Sequence, residues 1–392
     1  MALTGRASLT GLVKAESGRQ FRRPGKCGAT SNHQGEVEVA DAIISNLARP
    51  VTGGVDTHKD THVAAAVDHL GTEIATKAFP TTAHGYKQLT AWLCGQGDLQ
   101  RVGVEGTGSW GAALTRHLHD CGITVMEVNR PNRQHRRRAG KSDPIDAIAA
   151  ARAALGGLDS GIPKTGTGPV EAIRVLRIAR RSAVTSRTKT INQIRAVLDT
   201  APTDIREQHH NTSPTQLVER ISRTRPDLTR TNEPATAATI TLRTLGKRWQ
   251  FLTHQIEELD ELLDQLVAET APNLVAVYGV GTDTAAALLI AAGDNPDRLS
   301  SEAAFAALCG VNPLPASSGR TTRHRLNRAG NRDANHALWR IVMARMAHHP
   351  ETRTYVERRT TEGLSKREIM RCLKRYVARQ LYPIIRNELD AT

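Results

Sequence analysis

The chain has 392 residues, enough for two or three domains rather than one. It carries 53 Lys+Arg against 39 Asp+Glu, a formal charge of +14 with a pI near 10. That excess suits a polyanionic partner, because each Lys or Arg that meets a phosphate releases counterions, although an anionic membrane surface would attract it too. No apolar run approaches the ~20 residues that a bilayer-spanning helix needs.

The N-terminus lacks the apolar core of a signal peptide. The five cysteines (Cys27, Cys94, Cys121, Cys309, Cys372) are scattered, odd in number and without CxxC spacing. They argue for a reducing cytoplasm and against structural zinc. Aromatic residues make up only 3% of the chain, so base stacking is not expected as the main grip on nucleic acid.

Residues 1–50 are polar, rich in Gly, Ser and Arg, and without sustained periodicity. They read as a disordered leader with a short helix at Val37–Leu47. From 51 to 156, short apolar strands alternate with amphipathic helices, which predicts a mixed α/β domain. Its first strand holds Gly53-Gly54-Val55-Asp56, followed by a turn and the apolar run Val63–Val67. Glu105 closes the stretch Val102-Gly103-Val104, and a turn containing Gly106 and Gly108 leads into a helix. Lys141-Ser142-Asp143-Pro144-Ile145-Asp146 opens an Ala-rich helix, with Asp143 expected as N-cap and Pro144 at the first helical position. The spacing of three puts Asp143 and Asp146 on one side of that first turn.

Singly, each acid has a plainer explanation as a turn former or as a complement to the helix dipole. Together, two strand-end acids and a helical pair are the way an RNase H-like fold assembles a divalent-metal site. Hard cations such as Mg²⁺ or Mn²⁺ take oxygen ligands, and two-metal phosphodiester chemistry needs several carboxylates converging on one point. Just upstream of Asp143, Arg130–Lys141 is the densest basic run. Its Arg133, Arg136, Arg137, Arg138 and Lys141 are candidates for holding a nucleic-acid backbone beside the metal. His58, His62, His324 and His336 lack convincing ligand spacing and read as surface residues or as neighbours of the ligands.

Residues 156–170 form a Gly/Pro/Thr-rich linker within a middle region that spans 157–270. Two long helices are predicted there, Glu171–Leu198 and roughly Ala235–Thr270, as arms of an antiparallel hairpin or coiled coil. The first has a basic face that includes Arg174, Arg177, Arg180, Arg181 and Arg187, a reasonable surface for RNA. Between the arms, 201–234 is polar with four prolines and is expected to be irregular.

The remaining region, 271–386, is expected to be mostly helical. Leu274–Ile290 carries a helix-hairpin-helix pattern in which Gly279 and Gly281 allow a tight turn that exposes backbone N–H groups to phosphate. Pro313–Arg320 cannot be helix interior, so Ser317 and Ser318 sit on a loop. Arg320, Arg323 and Arg325 follow them, suited to neutralising phosphates. Glu357–Arg379 is expected as one amphipathic helix.

The stretches GVDTHKDTHVAAAVD (54–68), VGVEGTGSWGAALTRHL (102–118) and NRPNRQHRRRAGKSDPIDAIAAARAAL (129–155) resemble the IS110 family of transposases, related to the Piv DNA invertases. A second match lies in YGVGTDTAAALLIAAGD (278–294) and in FAALCGVNPLPASSGRTTRHRLNRAGNRDANHALWR (305–340). The resemblance covers about residues 52–385. It implies a RuvC-like domain whose DEDD tetrad falls on Asp56, Glu105, Asp143 and Asp146. It also implies a C-terminal domain whose catalytic serine falls on Ser318, with Ser317 beside it as the alternative.

By the same resemblance, the partners are the DNA of element ends and target, a structured guide RNA encoded by the element, and further copies of the chain as a dimer or tetramer. Mg²⁺ would assist Ser318 in forming a phosphoserine link that a 3′-hydroxyl resolves. The rival readings are a junction-resolvase-type nuclease in which the tetrad activates water, a site-specific DNA invertase, and a non-catalytic nucleic-acid-binding derivative.

Overall fold

The computed structural model describes residues 49–129, 142–157, 160–320 and 324–391. The expected leader, its helix at 37–47 and the basic run 130–141 therefore lie outside the described residues. Strands β1 (Pro50–Thr57), β2 (Thr61–Val67), β3 (Glu73–Pro80), β4 (Asp98–Glu105), β5 (Val125–Val128) and β6 (Ser160–Gly161) form one mixed sheet in the order β3-β2-β1-β4-β5-β6. β1, β4 and β5 run parallel, whereas β2, β3 and β6 pair antiparallel to their neighbours. β1 starts at Pro50, inside the stretch assigned to the leader. β6 lies in the expected linker, where two residues add to the β5 edge.

Alternation along β1 and β4 divides the sheet into two faces. Val55 and Val104, register partners, pack with Leu89 and Leu93 of α1 (Ala83–Cys94) and with Leu114 and Leu118 of α2 (Ala112–Asp120). The opposite face carries α3 (Asp143–Gly156), whose Ala147 and Ala151 pack on Val63, Ala65 and Val67 of β2. Glycine sets how closely this helix approaches. A Cβ on Gly54 would lie 2.2 Å from the Ala151 nitrogen, and one on Gly103 would lie 2.4 Å from the Ala150 oxygen. Gly54 and Gly103 thus face the helix, and period two puts Asp56 and Glu105 on that same face.

Four helices follow: α4 (Pro169–Thr200), α5 (Thr203–Gln208), α6 (Pro214–Arg223) and α7 (Pro234–Thr270). The long pair, α4 and α7, is antiparallel, as expected. Arg180 bonds Asp260, the Arg187 guanidinium lies 5.4 Å from the Trp249 ring, and Ile194 and Leu198 share a cluster with Leu242. The segment between the arms is not irregular. Pro214 and Pro234 sit in the first turns of α6 and α7, where a missing N–H costs nothing, and Pro202 caps α5. Ile205, Leu217, Val218 and Ile221 close a small core at the tip.

The C-terminal part is mostly helical: α8 (Pro272–Val275), α9 (Thr282–Ala292), α10 (Glu302–Leu308), α11 (Arg332–His348), α12 (Pro350–Thr361) and α13 (Lys366–Ala391). One apolar core built on Leu288, Leu289, Phe305, Ile341, Leu381 and Ile385 joins them. The single helix expected over 357–379 is two, separated at Gly363, whose φ of +87° stops the first. The start of α4 and the chain before it are strapped to this core. Asn295 donates to the Pro163 carbonyl, Arg298 to the Ile162 carbonyl, and Asp294 accepts from the Val170 N–H. No helix among the described residues is long and apolar enough to cross a membrane.

Candidate functional site

Asp56, Asp143 and Asp146 come together where the C-terminal end of β1 meets the first turn of α3, and Glu105 stands at the end of the neighbouring strand β4. Asp56 and Glu105 each follow the aligned pair Val55–Val104, and the Thr57 hydroxyl donates to the Glu105 carbonyl at 2.9 Å, tying the two strand ends together. Ser142 occupies the cap position of α3, so the helix starts at Asp143, one residue earlier than expected. Asp56, Glu105 and Asp146 are 5–6% exposed, which is rare for carboxylates unless a charge partner compensates them. Asp143 is open to solvent. Burial raises the Asp56 pKa, and the charges of Asp146 and Asp143 raise it further while His58 opposes them. Carboxylates crowded in this way fit a site made for a cation.

His58 was not expected to be a ligand. Its Nε2 lies 3.2 Å from Asp56 Oδ2 and 3.3 Å from Asp143 Oδ1, and donor atoms of Asp56, His58 and Asp143 all lie within 4.8 Å of one another. Linear spacing gave no hint of this, because the β1–β2 turn and the distant start of α3 close the group in space. The second histidine, His62, is different. It is fully buried on β2, stacks on Tyr86 with centroids 5.7 Å apart, and burial pulls its pKa down to about 4.

The serines sit on a loop, as expected, and that loop connects the two strands of a β-hairpin. β7 (Pro313–Pro315) pairs antiparallel with β8 (His324–Leu326), and Gly319 turns the tip at φ +56°. Arg320 is exposed there, and Arg323 lies outside the described residues. The base of the hairpin and α13 enclose a cavity of about 620 Å³ lined by Arg325, Arg371, Lys374, Arg375 and Arg379. Arg375 and Arg379 share Glu302, and Lys374 donates to Asn335 at 2.9 Å. Burial and, after it, the neighbouring Arg371 lower the Lys374 pKa, and Glu368 is the one acid in the lining among the described residues. No residue of the six-stranded sheet lines this cavity.

The Gly279–Gly281 turn leads into α9, but the helix before it, α8, has only four residues. Gly279 has φ +83°, and Arg345 pins the turn by donating to the Tyr278 carbonyl at 2.9 Å. The amides of the turn are partly engaged from within, because the Gly281 N–H donates to Thr284 Oγ1 at 3.0 Å. Asp283 in the first turn of α9 pairs with Arg177 at 3.2 Å and with Arg340 at 2.6 Å, while Arg181 pairs with Asp333 at 3.1 Å. Much of the basic face once expected to meet RNA therefore docks α4 on the C-terminal core.

Carboxylates on adjacent parallel strand ends and on a helix N-terminus, together with a separate cationic cleft, form an arrangement chemically suited to a divalent cation and to a polyanion. Comparison with known proteins narrows this reading. Residues 53–202 match the DEDD transposase model of IS110, described as Transposase, and residues 271–357 match the Transposase IS116/IS110/IS902 family. The chain belongs to the IS110 family of transposases. It is similar to the "Insertion element IS110 uncharacterized 43.6 kDa protein" of Streptomyces coelicolor, with 32% identity over 119 residues. That match spans 30% of this chain and 29% of the relative's length.

Proposed function

We propose that this chain is the DNA transposase of an insertion sequence, and that it cuts and rejoins phosphodiester bonds. The observation that carries the reading is the meeting of Asp56, Asp143 and Asp146 at one end of the sheet, with Glu105 on the neighbouring strand end. The order and directions of β1–β5 accord with an RNase H-like, RuvC-like domain. Mg²⁺ or Mn²⁺ held by Asp56, Glu105, Asp143 and Asp146 would polarise the scissile phosphate and lower the cost of deprotonating a hydroxyl.

In this reading the Ser318 hydroxyl oxygen bonds to phosphorus and the P–O3′ bond breaks. The serine proton leaves through the site as the departing 3′-oxygen takes one up. A second 3′-hydroxyl then attacks the phosphoserine and frees Ser318, so bond energy is conserved without a nucleotide cofactor. Arg320, Arg323 and Arg325 neutralise the phosphates near the serine, and the Gly279–Gly281 turn contacts backbone. Arg133, Arg136, Arg137, Arg138 and Lys141 hold the strand beside Asp143.

The hairpin of the serine rests on α13, and the acids lie on the sheet. A composite site therefore calls for these two parts to meet, within one chain or between copies of it, and a dimer or tetramer on two DNA ends is the proposed assembly. An element-encoded RNA is the proposed guide, on the strength of the resemblance. The same separation favours a second reading, a metal-dependent nuclease in which water is the nucleophile and Ser318 only shapes the hairpin. A cleavage assay with Mg²⁺ on a supercoiled plasmid carrying the element's ends and flanking noncoding RNA separates the two. A protein–DNA adduct lost in Ser318→Ala, kept in Ser317→Ala and lost in Asp143→Ala supports transposition by serine. Nicking without an adduct that survives Ser318→Ala supports hydrolysis.

A further inference from the structure

We infer that His58 is a direct ligand of the metal centre, and that its nitrogen biases the centre from Mg²⁺ toward Mn²⁺ and Co²⁺. The inference rests on the metal-binding reading of the acids and adds to it a donor that the four-acid set does not contain. His58 Nε2 stands between Asp56 Oδ2 and Asp143 Oδ1 at 3.2 and 3.3 Å. Two ligands at right angles around a cation with bonds near 2.1 Å stand about 3 Å apart, so both separations suit neighbouring corners of one coordination shell.

The ring is placed rather than loose. The His58 backbone N–H donates to the Thr61 carbonyl at 3.2 Å across the tight β1–β2 turn, which fixes the backbone that carries the ring, and Trp110 lies beside the imidazole with centroids 6.2 Å apart. Chemistry then sets the preference. Mg²⁺ dehydrates reluctantly and takes oxygen, whereas imidazole suits later first-row ions, whose affinity for nitrogen rises along the series from Mn²⁺ to Co²⁺. An imidazolium bridging the two carboxylates would produce the same distances, yet it would compete with a metal instead of holding one. Removing the ring has opposite effects in the two cases.

The test uses the full chain without DNA. Mn²⁺ binding is followed by electron paramagnetic resonance, with pulsed detection of ¹⁴N coupling, and Mg²⁺ binding by calorimetry, for wild type, His58→Ala, His58→Gln and Asp56→Asn. The wild type should show imidazole nitrogen coupled to Mn²⁺. His58→Ala should lose the coupling and at least about tenfold in Mn²⁺ affinity, with a smaller change for Mg²⁺. His58→Gln, which restores an oxygen donor, should recover Mg²⁺ binding without the nitrogen signal. Mn²⁺ bound in the wild type and lost in Asp56→Asn, but without ¹⁴N coupling, or bound more tightly by His58→Ala, overturns the inference and leaves the acid site standing. Failure of the wild type to bind Mn²⁺ at all overturns both.

Discussion

Gly54→Ala probes how the close seat of one helix builds the acid site. The new methyl would lie 2.2 Å from the Ala151 nitrogen and 2.3 Å from the Ala147 oxygen. Both are backbone atoms of α3, so no rotamer change relieves the clash. Restoring ordinary contact lifts α3 off the sheet by more than an ångström, and Asp143 and Asp146 ride on that helix while Asp56 stays on β1. Overpacking of this kind costs about 1–3 kcal/mol of stability. A displacement near 1 Å at a reacting centre costs about a hundredfold in rate. Thermal melting and Mn²⁺ affinity, measured beside a plasmid cleavage assay, separate the two effects. Gly108→Ala is the control, since nothing lies within 4 Å of its added methyl. Gly54→Ala should melt several degrees lower and lose metal affinity and cleavage, and Gly108→Ala should match the wild type. A Gly54→Ala protein that keeps wild-type Mn²⁺ affinity would refute the argument that helix seating sets the carboxylate geometry.

His62 should govern part of the acid limb of stability. Its folded pKa is pulled down to about 4, so below about pH 6.5 the unfolded chain takes up a proton that the folded one refuses, and stability falls progressively toward pH 4. The loss should approach about 3 kcal/mol by pH 4. Denaturant midpoints of His62→Gln from pH 8 to 4.5 should fall less steeply than those of the wild type, and parallel curves would contradict this. In the cationic cleft, Arg371→Glu combined with Lys374→Glu should weaken binding of a single-stranded oligonucleotide. It should also reduce the slope of log affinity against log salt by one or more, each phosphate contact contributing about 0.7–0.9. Anisotropy titrations that give wild-type affinity and slope would remove the cleft from the nucleic-acid surface.

The sheet and its acids were legible in the sequence because period two, paired glycines and an Asp-Pro helix start are local signals. Strand β6 was not legible, because two residues at Ser160 become a strand only through the β5 edge that receives them. The prolines of 201–234 were read as breakers, whereas Pro214 and Pro234 open helices, an ambiguity that only neighbouring packing resolves. His58 was passed over because its partners stand in β1 and at the start of α3, and spacing along the chain cannot show that. The acidic partners of the basic face of α4 were not legible for a related reason. Asp260, Asp283 and Asp333, which neutralise it, lie 80 to 152 residues away.

The paired long helices have a mechanical consequence. At 1.5 Å per residue, the 37 residues of α7 extend for about 55 Å, roughly the length of sixteen base pairs of duplex. The base of this strut is fixed to the C-terminal core by arginine–aspartate pairs, and its far end carries a packed cap of its own. The cap is therefore held at a set distance from the C-terminal core. Removing one matched turn from each arm would shorten that reach by about 5.4 Å while leaving both ends intact.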